Sequence, residues 1–437
     1  MVATERTTVR LVCAECGAEY PTDVPRYRCS CGGLLTVEQP IAALRQLVSR
    51  EFFDARLASR DKLDQSGVWR FRELLGDYMA DEIVSKPEGR GNLYEDQRLT
   101  AWSGVGQLWL KHEGENPTGS FKDRGMTVGM THARRLGART VACASSGNTS
   151  ASLASYAATA DLAALTFVPE GKVSTAKIAQ TIAYGARVIQ IRGDFDAAMR
   201  LVQEVAETPE YGVYLLNSIN PFRLEGQKTI VFDALQALNW QTPDAIVLPG
   251  GNLGNTSAFG KALEEALALG LIDRMPQIIT VQAGGAAPFA RAFARGFAPG
   301  SYQPVEAHTV ASAIAIGDPV SYPRARRVIQ RTEGIVLAVS DAAILASKAQ
   351  IDRAGIGCEP ASAAALAGLH ALVADGLLSP RASVLAILTG NLMKDAEAIA
   401  AYHQPDPAGE RPGANPPITI DPTIEAVKAI LDQAGQR

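Results

Sequence analysis

One lysine stands where the chain turns into a helix, and its position favours amine chemistry. Lys122 lies in residues 115–126, which read E-N-P-T-G-S-F-K-D-R-G-M. Asn-Pro and Thr-Gly-Ser interrupt the chain, and a helical pattern begins near Lys122. The N-terminus of a helix disfavours a cation, so we expect a lowered pKa for this amine. A Schiff-base lysine needs that property, whereas a lysine without such context is usually a solvated surface residue.

A glycine-rich loop predicts a phosphate site. Residues 249–256 read P-G-G-N-L-G-N-T, between a strand pattern at 244–248 and a helical pattern at 258–268. Glycines allow consecutive backbone N–H groups to turn towards a phosphate at a helix N-terminus. The alternative is a dinucleotide fingerprint, but the spacing Gly251-x2-Gly254 is not G-x-G-x-x-G. The loop therefore predicts a phosphate cup.

Three other polar stretches follow apolar strand patterns. Residues 145–149 (S-S-G-N-T) open a helix and suit an anion or a carboxylate, although an ordinary helix cap fits the pattern equally well. Residues 217–228 (N-S-I-N-P-F-R-L-E-G-Q-K) offer an arginine fork for a second oxyanion; a turn with a surface arginine is the alternative. Residues 388–395 (L-T-G-N-L-M-K-D) alone indicate a turn, and 358–364 (C-E-P-A-S-A-A) indicate a helix start and packing.

Together these motifs resemble, in the same order, those of the threonine synthase family of fold-type II, tryptophan-synthase-β-like pyridoxal-phosphate enzymes. The segment N-P-T-G-S-F-K-D-R-G-M matches the family's cofactor-lysine motif almost letter for letter. Residues 217–228 resemble the motif with which the family grips the phosphate of its substrate. That motif separates the family from cysteine synthases and threonine dehydratases.

The resemblance implies a role for individual residues. Lys122 is the catalytic lysine, Asn148 contacts the phenolic oxygen of the cofactor, and the Thr389 hydroxyl faces its pyridine nitrogen. The implied cofactor-binding residues are Phe121, Lys122, Asn148, Gly250, Gly251, Asn252, Leu253, Gly254, Asn255 and Thr389. The implied substrate-binding residues are Ser145, Ser146, Thr149, Asn217, Ser218, Arg223 and Asn252.

The activity implied by the resemblance is that of a carbon–oxygen lyase acting on a phosphate. It converts O-phospho-L-homoserine and water to L-threonine and phosphate, in threonine biosynthesis, with pyridoxal 5'-phosphate as cofactor. Lys122 would remove the Cα proton and carry the Cβ proton while phosphate leaves from Cγ. Two alternatives stay open. One is a cysteate-synthase-like β-replacement on O-phosphoserine, and the other is a non-catalytic binding or regulatory protein with the same fold.

Four of the six cysteines cluster near the N-terminus. They form a Cys-x2-Cys and a Cys-x-Cys pair, each followed by glycine, as in knuckles that turn around a tetrahedral metal. We expect one structural zinc, with a metal-free relic of the same fold as the alternative. The expected ligands are Cys13, Cys16, Cys29 and Cys31. Cys143 and Cys358 stand in apolar surroundings and are expected to be buried thiols.

Charge and composition describe an ordinary globular chain. With Lys+Arg 42 and Asp+Glu 46, the net charge is 42 − 46 = −4, which gives no basic footprint for nucleic acid or an anionic membrane. No run is long and apolar enough to span a bilayer. We expect a cytoplasmic homodimer whose partner is its small-molecule substrate.

Short apolar strands alternate with helical patterns from residue 108 onwards. This alternation predicts an α/β fold with doubly wound parallel sheets and ligands at the carboxyl ends of the strands. With the resemblance, it predicts two such domains and an N-terminal zinc-ribbon-like knuckle. The expected boundaries are 1–36 for the knuckle, 37–95 for a helical arm, 96–125 and 226–403 for the large cofactor domain, 126–225 for the small substrate domain, and 404–437 for a linker and a C-terminal helix capped by Asp421.

Overall fold

The computed structural model describes residues 8–171, 175–405 and 411–434. Its strands are β1 (Arg10–Cys13), β2 (Glu19–Tyr20), β3 (Leu35–Glu38), β4 (Leu93–Tyr94), β5 (Gln107–His112), β6 (Thr140–Ala144), β7 (Ala163–Pro169), β8 (Arg187–Ile191), β9 (Val213–Leu215), β10 (Ala245–Pro249), β11 (Gln277–Ala283), β12 (Ile335–Val339) and β13 (Ser383–Leu388). Its α-helices are α1 (Ile41–Leu47), α2 (Arg50–Asp54), α3 (Gln97–Ser103), α4 (Lys122–Arg135), α5 (Asn148–Ala160), α6 (Thr175–Ala183), α7 (Phe195–Glu207), α8 (Pro221–Ala237), α9 (Gly254–Ala268), α10 (Pro288–Ala294), α11 (Tyr322–Arg331), α12 (Asp341–Arg353), α13 (Pro360–Ala374), α14 (Ala396–Tyr402) and α15 (Ile424–Ala434).

The larger sheet has the strand order β12-β11-β10-β13-β5-β4. All its pairs are parallel except β4 with β5. Every residue of β10 is buried, because helices cover both faces of the sheet. Ile246 and Leu248 enter one hydrophobic cluster, whereas Ala245 and Val247 enter another on the opposite face. The sheet is therefore doubly wound, as the alternating pattern predicted.

The smaller sheet is wholly parallel, with the order β8-β7-β6-β9. Its central strand β6 is buried after the first residue. The neighbouring strands β6 and β9 end just before residues 145 and 217, so the two polar stretches that follow them meet at one edge of the sheet. The chain thus has the two parallel sheets expected, while the domain boundaries stay predictions.

Helices α4 and α8 approach each other closely because glycines face each other across their contact. A Cβ added at Gly226 would lie 1.8 Å from the carbonyl oxygen of Arg124. A Cβ added at Gly125 would lie 2.8 Å from the carbonyl oxygen of Arg223. Side chains at these two positions would force the helices apart. The contact places the start of α4 beside the first turn of α8.

The two ends of the chain add smaller elements. Strands β1 to β3 form an antiparallel sheet in the order β2-β1-β3, which carries the cysteine knuckle. At the other end, α15 begins at Ile424, and the Thr423 hydroxyl accepts the N–H of Ala426. The prediction of Asp421 as the cap was therefore wrong, because the threonine two residues later takes that position. None of the helices in the described ranges is long and apolar enough to cross a membrane.

Candidate active site

The lysine segment is fastened to the end of β13. The Phe121 N–H donates to the carbonyl of Thr389 (3.0 Å), and the Asn391 N–H donates to the carbonyl of Gly119 (2.9 Å). An isolated antiparallel bridge between Ser120 and Gly390 lies between these bonds. Gly119 has φ +84°, a conformation that glycine adopts without strain. Lys122 and Thr389 are thereby held at the same carboxyl edge of the larger sheet.

Asp123 fixes the segment from the other side. Its carboxylate accepts the N–H and the hydroxyl of Thr118 (2.7 and 2.6 Å) and the hydroxyl of Ser152 on α5 (2.6 Å). The sequence interpretation gave Asp123 no role. The sequence did hold a signal for this role: an acidic residue stands five positions after a threonine, across the turn that precedes the helix.

Burial makes Lys122 a weak base. Removal from water lowers the pKa of Lys122 to about 7, with a further decrease from the guanidinium of Arg223 and an opposing effect from Glu359. The Lys122 Nζ lies 4.0 Å from the centroid of the Phe121 ring. The predicted direction of the pKa shift is confirmed. The sequence interpretation did not include the two causes that the packed structure adds, burial and the charge of Arg223.

Arg223 is a buried cation without a counter-ion. Its side chain is 1% exposed, and its Nη1 donates to the carbonyl of Leu216 (3.1 Å). Its Nε has no partner, and no carboxylate within the described ranges stabilises it; burial lowers the pKa of Arg223 to about 10. Such a group is costly unless it binds an anion. Arg223 is therefore a candidate anion-binding residue beside Lys122.

The glycine loop is a second candidate anion site. Six consecutive N–H groups, those of residues 251–256, donate to no acceptor in the part of the chain that the structure describes. Leu253 has φ +61°, which turns the chain into α9. The loop includes the predicted residues Gly250, Gly251, Asn252, Gly254 and Asn255. Free N–H groups at the start of a helix of this length are the donors that a phosphate requires.

The loop 145–149 opens a third polar wall. Ser145 Oγ accepts the Gly147 N–H (3.3 Å), and a Cβ added at Gly147 would meet nothing within 4 Å. Ser146, Asn148 and Thr149 are half-buried at the start of α5. Their backbone N–H groups have no acceptor among the described residues. The loop therefore offers hydroxyls and free N–H groups to open space, which suits a carboxylate.

Glu359 is a site residue that the sequence interpretation missed. The segment that contains it was assigned to helix start and packing, and α13 does begin at Pro360. The Glu359 carboxylate, however, accepts hydrogen bonds from the Asn148 amide (3.0 Å) and the Thr389 hydroxyl (3.3 Å). Burial raises the pKa of Glu359, against the effects of Asn148 and Lys122. A Cβ added at Gly390 would lie 2.3 Å from the Glu359 Cδ. The glycine next to Thr389 was therefore the sequence signal that another side chain approaches this strand end.

The two parts of the predicted substrate-phosphate site meet through one hydrogen bond. The Asn252 amide donates to the Ser218 hydroxyl (3.2 Å). Asn217 lies beside them, but its side-chain amide bonds the backbone of Ala144 in both directions (2.9 and 3.0 Å). Asn217 therefore joins the ends of β6 and β9, which leaves Ser218, Arg223 and Asn252 as the groups that face an anion.

The predicted metal ligands come together away from this site. The sulfur atoms of Cys13 and Cys31 are 3.6 Å apart, and those of Cys16 and Cys29 are 3.5 Å apart. All four lie within 4.8 Å of one another. Tetrahedral zinc with Zn–S bonds of ~2.3 Å separates its sulfur ligands by about 3.8 Å. The cluster is compatible with zinc. Cys143 and Cys358 are free, buried thiols, as expected.

Pyridoxal phosphate, the cofactor that the resemblance implies, fits these residues. It carries a phosphate, an aldehyde, a phenolic oxygen and a ring nitrogen. The free N–H groups of 251–256 would take the phosphate, and Lys122 with its lowered pKa would take the aldehyde. Asn148 and Thr389 are linked through Glu359, which holds these two polar groups at a fixed separation. They would take the phenolic oxygen and the ring nitrogen.

Comparison with known proteins agrees with this geometry. The model of the pyridoxal-phosphate dependent enzyme family matches residues 84–390. The chain is 44% identical to threonine synthase of Methanocaldococcus jannaschii over 96% of this chain and 99% of that protein. It is 42% identical to threonine synthase of Methanosarcina acetivorans, over 96% and 98%. The crystal structure of Escherichia coli threonine synthase has the same fold, with a TM-score of 0.69 at 20% identity over 96% of this chain and 94% of that one. The chain therefore belongs to the threonine synthase family of pyridoxal-phosphate dependent enzymes.

Proposed function

We propose that this chain converts O-phospho-L-homoserine and water to L-threonine and phosphate. The observation that carries the proposal is a pair of anion sites around one weakly basic lysine. The N–H groups of 251–256 form one, and the unpaired guanidinium of Arg223 forms the other. The cofactor has a single phosphate, so the second site is available for a phosphate that belongs to the substrate.

Phe121, Lys122, Asn148, Thr389 and the loop 250–255 would hold the cofactor. The loop would bind its phosphate through backbone N–H groups, and Asn148 would donate to its phenolic oxygen. The Thr389 hydroxyl would hold the ring nitrogen, where a hydroxyl, unlike a carboxylate, does not require a protonated ring. Bound pyridoxal phosphate supplies an electron sink for the pair left at Cα when its proton is removed.

Lys122 would move the protons. A pKa near 7 leaves a substantial fraction of this amine neutral at physiological pH, which suits a group that both accepts and returns a proton. The Lys122 Nζ would remove the Cα proton and then a Cβ proton, and phosphate would leave from Cγ with the electrons of the C–O bond. A proton would then be delivered to Cγ, which becomes the methyl group, water would add its hydroxyl at Cβ, and a proton would return to Cα.

The substrate would lie between the two sheets. Ser145, Ser146 and Thr149 receive its carboxylate at the start of α5. Ser218, Arg223 and Asn252 receive its phosphate, and the charge of Arg223 stabilises the phosphate as it departs. Asn217 positions this group through its bonds to Ala144.

Phosphate release distinguishes this reaction from its alternatives. Purified holoenzyme is given O-phospho-L-homoserine, and separately O-phospho-L-serine with sulfite. We expect threonine and phosphate in equal amounts from the first substrate and little turnover of the second. Faster use of phosphoserine with sulfite would favour a cysteate synthase. Cofactor binding without turnover of either substrate would favour a regulatory protein.

We further propose that the enzyme is a cytoplasmic homodimer. Both statements rest on the family resemblance. The cytoplasm also suits a four-thiol metal site, because such a site requires reduced cysteines. Sedimentation of the purified holoenzyme measures the assembly. A monomer at micromolar concentration would contradict the homodimer.

A further inference from the structure

The cysteine knuckle has the form of a closed structural metal site. Cys13 and Cys29 are buried and Cys16 and Cys31 are exposed, and their four sulfur atoms converge. The N–H groups of Glu15 and Cys16 point at the Cys13 Sγ (3.4 and 3.5 Å). Four thiolates fill a tetrahedral zinc and leave no position for a reactant. The strands that carry the knuckle are only two to four residues long, so metal binding would add to the stability that Leu11, Leu35 and Val37 give by packing on the rest of the chain.

One side of the knuckle docks on the smaller sheet. Tyr27, two residues before Cys29, is buried, and its hydroxyl accepts the N–H of Leu215 in β9 (2.8 Å). Its ring packs on Tyr214, with centroids 5.9 Å apart. Strand β9 lies at the edge of its sheet, so the tyrosine satisfies an N–H group that no further strand pairs. This contact lies just before Asn217 and Ser218.

The other side docks next to the glycine loop. The carbonyl of Leu35 accepts a hydrogen bond from the buried Arg324 of α11 (3.1 Å). Arg324 also donates to the Ser321 hydroxyl (3.3 Å), and the Ser321 N–H donates to the carbonyl of Asn252 (3.2 Å). The Val320 N–H donates to the side-chain oxygen of Asn252 (2.9 Å). This second contact therefore reaches the residue that bonds Ser218.

We propose that the four-cysteine knuckle binds zinc and acts as a clamp across the substrate-phosphate site. Through Tyr27 it holds the Ser218 side, and through Leu35 and Arg324 it holds the Asn252 side. Zinc keeps the two docking groups at a fixed separation, and so keeps Ser218 and Asn252 in hydrogen-bonding contact (3.2 Å). The clamp rests on the proposed function for its effect on substrate binding, but the metal site and the docking do not.

The first experiment measures zinc and local opening without any turnover. Holoenzyme purified without chelators is analysed for metal, and hydrogen exchange is followed by mass spectrometry before and after zinc removal. We expect one zinc per chain, and faster exchange at 213–218 and 319–324 after its removal. Cys16→Ser with Cys31→Ser, which replaces the two exposed ligands, should give the same pattern. Zinc-free protein, or unchanged exchange at both segments, would overturn the clamp.

A second variant leaves the metal ligands intact. Tyr27→Phe removes only the hydroxyl and leaves the buried Leu215 N–H unpaired, so we expect KM for O-phospho-L-homoserine to rise about fivefold or more, with kcat, zinc and cofactor content unchanged. Tyr211→Phe, at an exposed tyrosine before the same strand, is the matched control and should change nothing. An unchanged KM in Tyr27→Phe would refute the coupling. Absence of turnover in the native enzyme would refute the proposed function instead. Hydrogen exchange at 213–218 and 319–324 would still show whether the knuckle acts as a clamp.

Discussion

Replacement of Arg223 by leucine tests the second anion site directly. The guanidinium is 1% exposed and has no carboxylate partner in the described structure, so its charge is balanced only when an anion binds. In the free enzyme, an unpaired buried charge decreases the free energy of unfolding. Arg223→Leu should therefore bind and turn over the phosphorylated substrate poorly without a lower melting temperature. Most active-site arginines that are paired with a carboxylate would give the opposite stability result.

The size of the loss follows from the contacts. Leucine keeps the Cγ that packs against Gly129 but removes the guanidinium donors, leaving Ser218 and Asn252. Loss of one charged partner of a phosphate in a water-poor site costs roughly 2–4 kcal/mol of transition-state stabilisation. At about 1.36 kcal/mol per factor of ten, kcat/KM should fall about 30- to 1,000-fold. Cofactor content should stay unchanged, because Arg223 lies on the substrate side.

The same variant should raise the pKa of Lys122. The positive charge of Arg223 is the second cause of its lowered pKa of about 7, and leucine removes that charge. A protonated amine is unreactive, so acylation of Lys122 in cofactor-free protein should slow tenfold per pH unit below the pKa. At pH 7 the variant should be labelled more slowly than the native chain, as measured by mass spectrometry.

Arg223→Lys is the matched control, because it keeps the charge and loses the planar fork. It should retain the lowered pKa of Lys122 and lose part of kcat/KM. Native kinetics with O-phospho-L-homoserine in Arg223→Leu would show that the second phosphate binds elsewhere. A lower melting temperature with unchanged labelling of Lys122 would show that Arg223 is a packing residue.

Four further variants test the cofactor side of the site. Lys122→Ala should abolish turnover and borohydride-stable attachment of the cofactor while still binding it non-covalently; turnover at the native rate would rule out Lys122 as the proton carrier. Gly251→Val or Gly254→Val should weaken cofactor retention in equilibrium dialysis. The new Cβ would contact Ile314 (3.2 Å) or Gln227 (3.3 Å), and the branched side chain would crowd the free N–H groups. Undiminished affinity in both variants would show that these glycines serve packing only. Glu359→Gln should lower kcat about tenfold or more with the cofactor retained, because it removes a charge shared by Asn148 and Thr389; an unchanged kcat would leave Glu359 a structural role only.

The sequence predicted the elements around the site well because their signals are local. The strand pattern at 244–248 corresponds to β10 (Ala245–Pro249), and the helical pattern at 258–268 lies within α9 (Gly254–Ala268). Lys122 does begin α4, since the turn residues before it cannot continue a helix. The sequence signals for the candidate anion-binding loops are equally local. Each loop is a short run of glycines or hydroxyl residues that directly follows a strand and precedes a helix.

The contacts that the sequence did not indicate join residues that are distant in the chain. Glu359 reaches Asn148 across 211 positions, and no pattern around either residue indicates that contact. The pKa of Lys122 depends on Arg223, which the fold brings close through the contact of α4 with α8. The side chain of Asn217, assigned to the substrate by analogy, also joins the paired ends of β6 and β9, which no local pattern indicates. Its assignment to the substrate stays a prediction. Burial and pairing are properties of the packed chain, and local spacing does not determine them.

The four residues at the start of α4 each help to fix the position of the catalytic lysine. Lys122 enters the site, and Asp123 closes the turn against α5. Arg124 forms a two-bond fork with the buried Glu113 (2.6 and 2.7 Å) and also reaches Asp233 of α8 (2.6 Å). Gly125 admits the backbone of α8. These directional bonds fix the rotation of α4 about its axis, and therefore the direction in which Lys122 points. Loss of one partner of the buried Arg124 network would leave an uncompensated charge at a cost of about 3–5 kcal/mol, so changes next to the lysine should reduce stability and catalysis together.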